Sequence, residues 1–350
     1  MDPITHAALG ASIGYTCFHR QLGPQAAVIG AVAAMCPDLD ILYGATEGSF
    51  GRLVSHRGVT HSLFFGPVVG SMVGWFWWRR SARRKELPPA SSPGPLIWIG
   101  LFSLALLSHP LLDLFTSYGT QLLAPFSRAR FALHAIPIVD PAYSVTLVIG
   151  LAAGLWLRGN PRAGWCTGAA VILTSGYLLL GLRLNGLAEL EARTQLKNAG
   201  IESAEIYSFP TMLQLPYRRL VSVTPLDVRV GFVSMWRPCP IKWGRAPRVE
   251  NGYAEDLRDT YEGRIYQWFS GGLLVTKLMR EGVQQVVELV DLRYGFETDP
   301  LAGMWGIRGR FMTDGRLAEP PERFMRRPAV NSQSVGQLLA DAFPRTCEAP

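Results

Sequence analysis

Residues 56–62, HRGVTHS, lead directly into residues 63–78, LFFGPVVGSMVGWFWW, and this junction decides how the first half of the chain folds. The second stretch is apolar and aromatic, and a helix that crosses a bilayer needs about 20 such residues. The first stretch carries two histidines and two hydroxyl side chains, which are residue types found around metal ions. The junction therefore predicts a membrane helix with polar, metal-binding chemistry at its start.

Apolar segments recur through the first half of the 350-residue chain, which is 48% hydrophobic overall. The predicted helical segments are 4–18, 24–36, 61–78, 95–112, 137–157 and 164–182. The first two are short and rich in Ala and Gly, and Gly23 and Pro24 separate them, which predicts a close-packed hairpin. We therefore expect residues 1–184 to form an α-helical integral membrane domain, a helical hairpin plus about four further helices.

The second half of the chain has a different pattern. Residues 187–200, LAELEARTQLKNAG, predict a helix that Gly200 caps. The strand-like runs, which are β-branched and aromatic and separated by turn residues, are 219–236, 262–279 and 284–296. We expect residues 185–350 to form an α+β, strand-rich soluble domain whose tail, from about residue 318, is loosely ordered.

Charge is divided unevenly between the two halves. Residues 1–184 carry 13 Lys and Arg against 7 Asp and Glu, whereas residues 185–350 carry 21 against 20. The excess lies in the membrane half, so it indicates positive-inside orientation and no nucleic-acid partner. If each segment crosses once, HRQLGP, RRSARRK and RGNPR share the cytoplasmic side. The C-terminal domain then lies outside the cytoplasm, beyond the inner (plasma) membrane, where Cys239 and Cys347 could pair.

The same alternation gathers histidines and aspartates at the outer face of the membrane. Five of the six histidines and four of the seven acidic residues of this half fall there, namely His6, Asp38, Asp40, His56, His61, His109, Asp113, His134 and Asp140. Ionisable groups near a bilayer are costly and tend to be functional. Imidazole and carboxylate together suit Zn²⁺, Mn²⁺ or Fe²⁺, and the number of groups exceeds one tetrahedral site. The pattern predicts a cluster of two or three ions.

Simpler roles stay open for several of these side chains. Asp40 could be a turn residue or a cap, and Asp140 could cap the start of a helix. His134 could hydrogen-bond headgroups or backbone, as could His19, the one histidine at the opposite face. Arg57 could bind a substrate phosphate or anchor the chain to lipid headgroups.

Five motifs, in their order along the chain, carry a family resemblance. MDPITHAALG, CPDLDI, HRGVTHSL, SHPLLDLFTSYGTQLLAPFS and IPIVDP resemble the YdjM-like membrane-bound metal-dependent hydrolases. The resemblance covers residues 1–180, and the second half resembles the extra C-terminal region of longer members. The family in turn is similar to zinc-dependent phospholipases C and single-strand-specific zinc nucleases, which are helical enzymes with a three-zinc centre.

The resemblance implies a set of site residues. As metal ligands it implies His6, Asp38, His56, His61, His109 and Asp113. It also implies that Asp38 or Asp40 lies beside a bridging water and acts as general base. The soluble relatives use an N-terminal amine as a further ligand, whereas here residue 1 is Met and His6 is internal. A centre of two zinc ions is therefore as compatible with the sequence as a centre of three.

Two functions are consistent with these features. The first is a membrane-embedded metal-dependent hydrolase, phosphodiesterase-like, in which Asp38, Asp40 and Arg57 serve catalysis on a phosphoester or lipid-linked substrate through a metal-activated water. The alternative is a non-catalytic membrane protein in which metal is structural and the C-terminal domain binds an envelope partner. The deep segments 66–78, 96–107 and 144–157 hold no ionisable side chain, which argues against a metal transporter.

Overall fold

The computed structural model describes residues 1–83, 93–160, 162–201, 204–248, 251–296, 299–326 and 332–347. Part of the predicted basic linker, residues 84–92, lies outside the described residues. The chain forms two compact units. The first consists of Met1–Thr46 and Ser55–Leu180, and the second consists of Glu47–Val54 and Gly181–Pro350.

The first unit begins with the helical hairpin that the sequence predicts. Its helices are α1 (Pro3–Leu22) and α2 (Gln25–Met35), and α1 ends where Gly23 adopts a φ of 63°. Gly10 of α1 faces Gly30 of α2, and a Cβ atom at either position would overlap the opposite backbone. The small residues therefore allow the two backbones to touch, as small residues do between membrane helices.

Short helices follow the hairpin. In chain order they are a 3₁₀ helix (Cys36–Leu39), α3 (Asp40–Gly44), a 3₁₀ turn (Ala45–Glu47), α4 (Gly48–Ser55) and a 3₁₀ helix (Val59–His61). Pro37 lies at the start of the first, where its missing N–H is tolerated. The predicted metal ligands of the CPDLD and HRGVTHS motifs lie in or beside these short helices.

Two long helices, α5 (Phe65–Arg83) and α6 (Pro95–Leu114), pack closely in the first unit. The contact depends on glycines of α5 that recur at every fourth position and face α6. A Cβ atom at Gly70 would lie 2.6 Å from the backbone nitrogen of Ser103, which is closer than real Cβ contacts. This close packing fixes α6, which carries two of the predicted ligands.

The remaining helices of the first unit are α7 (Pro141–Trp156) and the start of α8 (Ala163–Asn198). Among the described residues, three segments are long and apolar enough to cross a membrane: Gln25–Gly44, Pro95–Leu114 and Ala163–Asn198. The pair Gly48–His61 and Phe65–Ala82, bent by 60°, makes a fourth if it forms one span. The predicted helical membrane domain is confirmed. The prediction of six single crossings is met only in part, because three or four segments have the length and hydropathy of a span, and α7, with 16 residues, is a shorter apolar helix.

Helix α8 differs from the sequence-based expectation. The last predicted crossing and the predicted helix at 187–200 are one continuous helix of 36 residues. Two glycines, Gly181 and Gly186, lie near the expected break, and each costs a helix only about 1 kcal/mol. The helix ends at Asn198, and Gly200, with a φ of 79°, lies in the turn that follows.

The second unit is strand-rich, as predicted, but the prediction of a strand-like run at 262–279 is wrong for its first half, which forms a helix that Thr260 caps. Its further elements are β1 (Glu205–Pro210), β2 (Tyr217–Val223), β3 (Asp227–Ser234), β4 (Gly244–Pro247), α9 (Gly252–Asp259), α10 (Tyr261–Ser270), β5 (Leu274–Glu281), β6 (Gln284–Asp291), β7 (Gly295–Phe296), β8 (Asp299–Gly303), β9 (Trp305–Phe311), β10 (Glu322–Met325) and α11 (Ser332–Ala342). One antiparallel sheet has the order β1-β2-β3-β4, a second has the order β10-β9-β6-β5, and β7 pairs with β8. Apolar side chains of both four-stranded sheets, such as Val221 and Val290, share one core.

The C-terminal tail carries regular structure within its described residues. The segment that the sequence predicts to be loosely ordered contains β10 and α11. A disulfide joins Cys239 to Cys347, 108 residues apart. Ser234 donates from Oγ to the carbonyl oxygen of Ala342 (2.6 Å), so the end of α11 is held at the end of β3.

Candidate metal centre

Four parts of the first unit supply the predicted ligands. His6 lies on α1, Asp38 in the 3₁₀ helix after α2, His56 just before and His61 within the 3₁₀ helix Val59–His61, and His109 and Asp113 on α6. The spacing of four residues puts His109 and Asp113 on one face of α6. The structure brings five of these six side chains into one buried cluster and places His56 at its edge.

Two carboxylates link the imidazoles of the cluster. Oδ1 of Asp38 lies 3.3 Å from Nε2 of His109 and 3.4 Å from Nε2 of His61. Oδ2 of Asp113 lies 3.6 Å and 3.5 Å from the same two nitrogens. Nε2 of His6 lies 3.3 Å from Oδ1 of Asp113. Donor atoms from five side chains therefore converge on one small volume.

The buried donor atoms fit a divalent metal ion. Three groups have ligand atoms that all lie within 4.8 Å of one another: His6, Asp38 and His109; His61, His109 and Asp113; Asp38, Asp40 and His56. Four of these atoms are buried and have no hydrogen bond of acceptable geometry among the described residues: Nε2 of His6, His61 and His109, and Oδ2 of Asp113. Buried polar atoms are almost always satisfied in native proteins. A cation would satisfy all four, and imidazole with carboxylate is a donor set that zinc, manganese and iron accept.

Two histidines are oriented so that Nε2 points into the cluster. His109 donates from Nδ1 to the carbonyl oxygen of Ala34 (2.6 Å), which fixes the tautomer that leaves Nε2 unprotonated. Nδ1 of His61 faces Oδ2 of Asp40 (3.2 Å) and the hydroxyl of Thr60 (3.0 Å). Metal-ligating histidines characteristically donate their second ring nitrogen to a carbonyl or a carboxylate in this way.

Asp40 organises the HRGVTHS segment. Its carboxylate accepts from the backbone N–H of Arg57 (3.0 Å) and the hydroxyl of Thr60 (2.9 Å). It also faces Nδ1 of His56 (2.8 Å) and Nδ1 of His61. These contacts hold Arg57 in a left-handed conformation with a φ of 61°. Asp40 thus orients two imidazoles and one turn. This is a larger role than that of a turn residue or helix cap, which the sequence left open for it.

The side chain of Arg57 is buried against Asp113. Its Nη2 lies 2.9 Å from Oδ1 of Asp113, and its Nη1 donates to the hydroxyl of Thr116 (3.0 Å). The α-amino group of Met1 also contacts Asp113. A role for Arg57 in binding a substrate phosphate stays a prediction. In the structure its charge balances a buried carboxylate.

Three predicted polar residues lie apart from the cluster. Asp140 caps α7, since it accepts from the backbone N–H of Tyr143 (3.1 Å) and from the hydroxyl of Tyr177 (2.9 Å). His19 donates from Nδ1 to a carbonyl oxygen of its own helix (2.8 Å). His134 adopts a φ of 51° and belongs to none of the three ligand groups found among the described residues.

A loop at residues 119–133 lies beside the cluster. Gln121 donates its N–H to the carbonyl oxygen of Arg57, and Leu63 donates to that of Leu122, both at 3.0 Å. The large apolar side chains exposed on and next to this loop are Phe64, Leu123, Phe126, Phe131 and Leu133. Phe126 is 82% exposed. The loop also carries Arg128, which is exposed, so apolar and basic side chains border the site together.

Sequence reasoning missed three groups that shape this site. The Ala34 carbonyl orients His109. A backbone acceptor of this kind cannot be predicted from the pattern of side chains in the sequence. Thr116 binds Arg57, and its position three residues after Asp113 is the one signal in the sequence that could have found it. Tyr118 lies with its ring centroid 4.6 Å from the Arg57 guanidinium carbon, a cation–π contact.

Comparison with known proteins agrees with this architecture. The profile of the YdjM inner membrane protein family matches residues 1–186. The chain belongs to the YdjM family. It is 29% identical to the inner membrane protein YbcI of Escherichia coli (strain K12) over 170 residues, which are 45% of this chain and 91% of YbcI. It is 26% identical to the protein YfhP of Bacillus subtilis (strain 168) over 190 residues, 51% of this chain and 53% of YfhP. No solved structure matches the chain.

The match covers the helical part of the chain and therefore all the residues of the cluster. The resemblance drawn from the five motifs is confirmed at the level of the YdjM family. The family and the name of YbcI also confirm the predicted inner membrane localisation. The strand-rich region after residue 186 lies outside the YdjM profile.

Proposed function

We propose that this YdjM-family protein is a membrane-embedded metal-dependent hydrolase that acts on a phosphoester, carried by a lipid or lipid-linked molecule. One observation carries the proposal. Three buried imidazoles and two carboxylates, drawn from four separate segments, aim their ligand atoms into one volume. A protein that kept these groups in an apolar helical unit without a cation would leave several costly buried atoms unsatisfied.

The residues that would hold a divalent ion are His6, Asp38, His61, His109 and Asp113, with His56 at the edge beside Asp40. A bound ion of this kind supplies Lewis-acid polarisation of a phosphoryl oxygen and lowers the pKa of water. We infer zinc, as two or three ions, with manganese or iron as alternatives that the same donors accept.

Access to solvent favours catalysis over a purely structural role. The Asp38 side chain is 19% exposed, whereas those of the inner histidines and Asp113 are fully buried. A structural site is closed by protein ligands, while a catalytic site keeps an open position. The cluster opens at Asp38, so we assign to its carboxylate the role of taking a proton from the attacking water. Asp40 is a poorer candidate for that role because its carboxylate already faces four donors.

The border of the site favours an amphiphilic substrate. Phe64 and Phe126 pack edge to face with ring centroids 5.3 Å apart, and both are exposed. A lipid tail can lie along such side chains, while Arg128 meets the anionic headgroup. The depth of the site at the end of membrane helices supports the same substrate class. We further propose that this face, and the second unit, lie outside the cytoplasm, which requires α7, an apolar helix of 16 residues, to cross the bilayer between α6 and α8.

The alternative is a structural metal with an envelope-binding second unit. The full chain, purified with its metal, separates the two functions in a screen of lipid phosphoesters and bis(p-nitrophenyl) phosphate with added Zn²⁺, Mn²⁺ or Fe²⁺. Hydrolysis that needs the ion supports the hydrolase. A protein that loses thermal stability on chelation, yet hydrolyses none of these esters in the loaded state, supports the structural role.

A matched pair of variants on one helix tests the ligand assignment. His6 and His19 both lie on α1, but only His6 belongs to the cluster. We expect His6→Ala to lower metal content and hydrolysis, and His19→Ala to leave both at the wild-type level. If His6→Ala retained the full metal stoichiometry, His6 would not be a ligand.

A further inference from the structure

The second unit carries an exposed aromatic surface that nothing above explains. Trp236, on the loop after β3, is 69% exposed, and Phe343 packs against it with ring centroids 5.5 Å apart. Met212, on the loop between β1 and β2, is also exposed. Together with the exposed Arg237 and Arg345 they form the surface that we call the aromatic end of the first sheet.

Backbone pairing puts both loops at the same end of this sheet. The N–H of Thr211 donates to the carbonyl oxygen of Tyr217 (3.2 Å), which closes the β1–β2 loop. Tyr217 pairs with Ser234, the last residue of β3. The N–H of Met235 donates to the carbonyl oxygen of Pro216 (2.8 Å). The loop that carries Trp236 is therefore hydrogen-bonded to the loop that carries Met212.

Contacts with α8 show which way this end of the sheet faces. Within the second unit, Ser208 donates its N–H to Glu189 (3.3 Å), and Arg218, which pairs with Pro210, donates to Asn185. Strand β1 therefore runs antiparallel to α8, toward the start of the unit at Gly181. The loop after Pro210 continues in that direction.

Gly181 is also the residue at which the apolar part of α8 ends. Residues 164–180 hold no charged side chain, and Arg183 is the first charged residue after them. Asn185 is four residues beyond Gly181, about 6 Å of helix rise. The aromatic end thus lies near the level at which α8 emerges from the hydrocarbon layer, where tryptophan and other aromatic side chains are enriched in membrane proteins.

The charges at this level match a bilayer surface. Arg183, Arg237 and Arg345 are exposed there, and basic side chains near the surface attract anionic lipid headgroups. The disulfide between Cys239 and Cys347 keeps Phe343 and Arg345 beside Trp236. Apolar side chains next to basic side chains are the combination by which interfacial elements bind anionic membranes.

We infer that the aromatic end of the first sheet docks on the headgroup layer of the membrane that α8 crosses. The contact holds the second unit against the bilayer through a second attachment besides α8. This inference is independent of the metal centre and of hydrolysis.

Lipid-borne quenching tests the inference in the full chain. Cys17, Cys36 and Cys166 are first replaced with alanine, so that a Met212→Cys variant carries a single reactive thiol for a fluorescent label. The matched control is Leu226→Cys, because Leu226 is 78% exposed on the β2–β3 turn at the opposite end of the same sheet. Both proteins are reconstituted in phosphatidylethanolamine and phosphatidylglycerol vesicles that contain a nitroxide lipid.

We expect the label at position 212 to be quenched several-fold more strongly than the label at position 226, with its emission shifted to shorter wavelength. Adding Trp236→Ser to the Met212→Cys protein is expected to reduce that quenching, while far-UV circular dichroism stays unchanged. Equal quenching at the two positions, or stronger quenching at position 226, would overturn the inference.

Discussion

Replacing Asp40 with asparagine tests whether this carboxylate organises the site without ligating the ion. The Asp40 carboxylate accepts from the N–H of Arg57 and the hydroxyl of Thr60, and it faces the Nδ1 atoms of His56 and His61. Asparagine has nearly the same shape as aspartate, but it is neutral, and an NH₂ donor replaces one of the two carboxylate oxygens. If the amide oxygen still accepts from the N–H of Arg57 and the hydroxyl of Thr60, the NH₂ group faces Nδ1 of His56.

The expected effect has two parts. Loss of one hydrogen bond to a charged group costs about 1.5–3 kcal/mol of stability. His61 then faces a neutral amide oxygen where it had a carboxylate, and loss of such an outer partner of a ligating histidine typically weakens metal affinity by about 10–100-fold, which corresponds to about 1.4–2.8 kcal/mol. We therefore expect Asp40→Asn to bind the ion at full stoichiometry when the ion is in excess, but with that lower affinity. An Asp38→Asn variant, which changes a ligand candidate, is expected to lower the stoichiometry itself.

The assay is a competition between the purified protein and a chelator of known affinity, with bound metal measured by mass spectrometry. Asp140→Asn is the matched control, because Asp140 is a buried aspartate that caps α7 and belongs to no ligand group found among the described residues. Wild-type affinity in Asp40→Asn would refute the organising role. An equal loss in Asp140→Asn would show that any change in a buried aspartate disturbs the helices, and would refute it as well.

Three further variants test the ligands, the orientation and the packing. His61→Ala is expected to lose bound metal and phosphoester hydrolysis while the protein still inserts; an unchanged metal content would contradict the ligand assignment. A cysteine introduced at Ala82, an exposed position, is expected to react with an impermeant thiol reagent only from the cytoplasmic side, and labelling from outside would invert the topology. Gly70→Leu is expected to destabilise the α5–α6 pair by at least about 1–3 kcal/mol, because its Cβ atom alone would overlap Ser103, and a denaturation midpoint equal to that of the wild type would contradict this.

The sequence predicts the cluster but not the division of roles within it. The alternation of apolar segments and the positive-inside rule place His6, His61 and His109 at one face, although that argument assumes six crossings and the helix lengths support three or four. The roles of Asp38 and Asp40 depend on a 3₁₀ helix that directs two carboxylates, two residues apart, toward different partners. Either aspartate in CPDLD satisfies the motif, and the sequence alone does not distinguish them.

Two features of the fold escaped prediction for a similar reason. Helix α8 continues past Gly186, because the energetic penalty of one glycine is small against a helix of 36 residues. Residues Glu47–Val54 belong to the second unit although they lie between two ligand motifs of the first. Their packing is set by tertiary contacts, such as the one between Arg323 and the carbonyl oxygen of Ser49 (2.7 Å), which join residues 274 positions apart. Local patterns carry no information on contacts of that separation.

The spread of the candidate ligands along the chain has a consequence for how the protein matures. His6 leaves the ribosome first and Asp113 more than a hundred residues later, so no complete binding site exists until α6 has entered the bilayer and packed on α5. If the cluster binds an ion as proposed, ion capture is a late event of biogenesis: it closes an already inserted bundle and does not nucleate it, unlike the capture of zinc by a zinc finger. Cells starved of the metal should therefore accumulate an inserted, empty precursor and no aggregated chain.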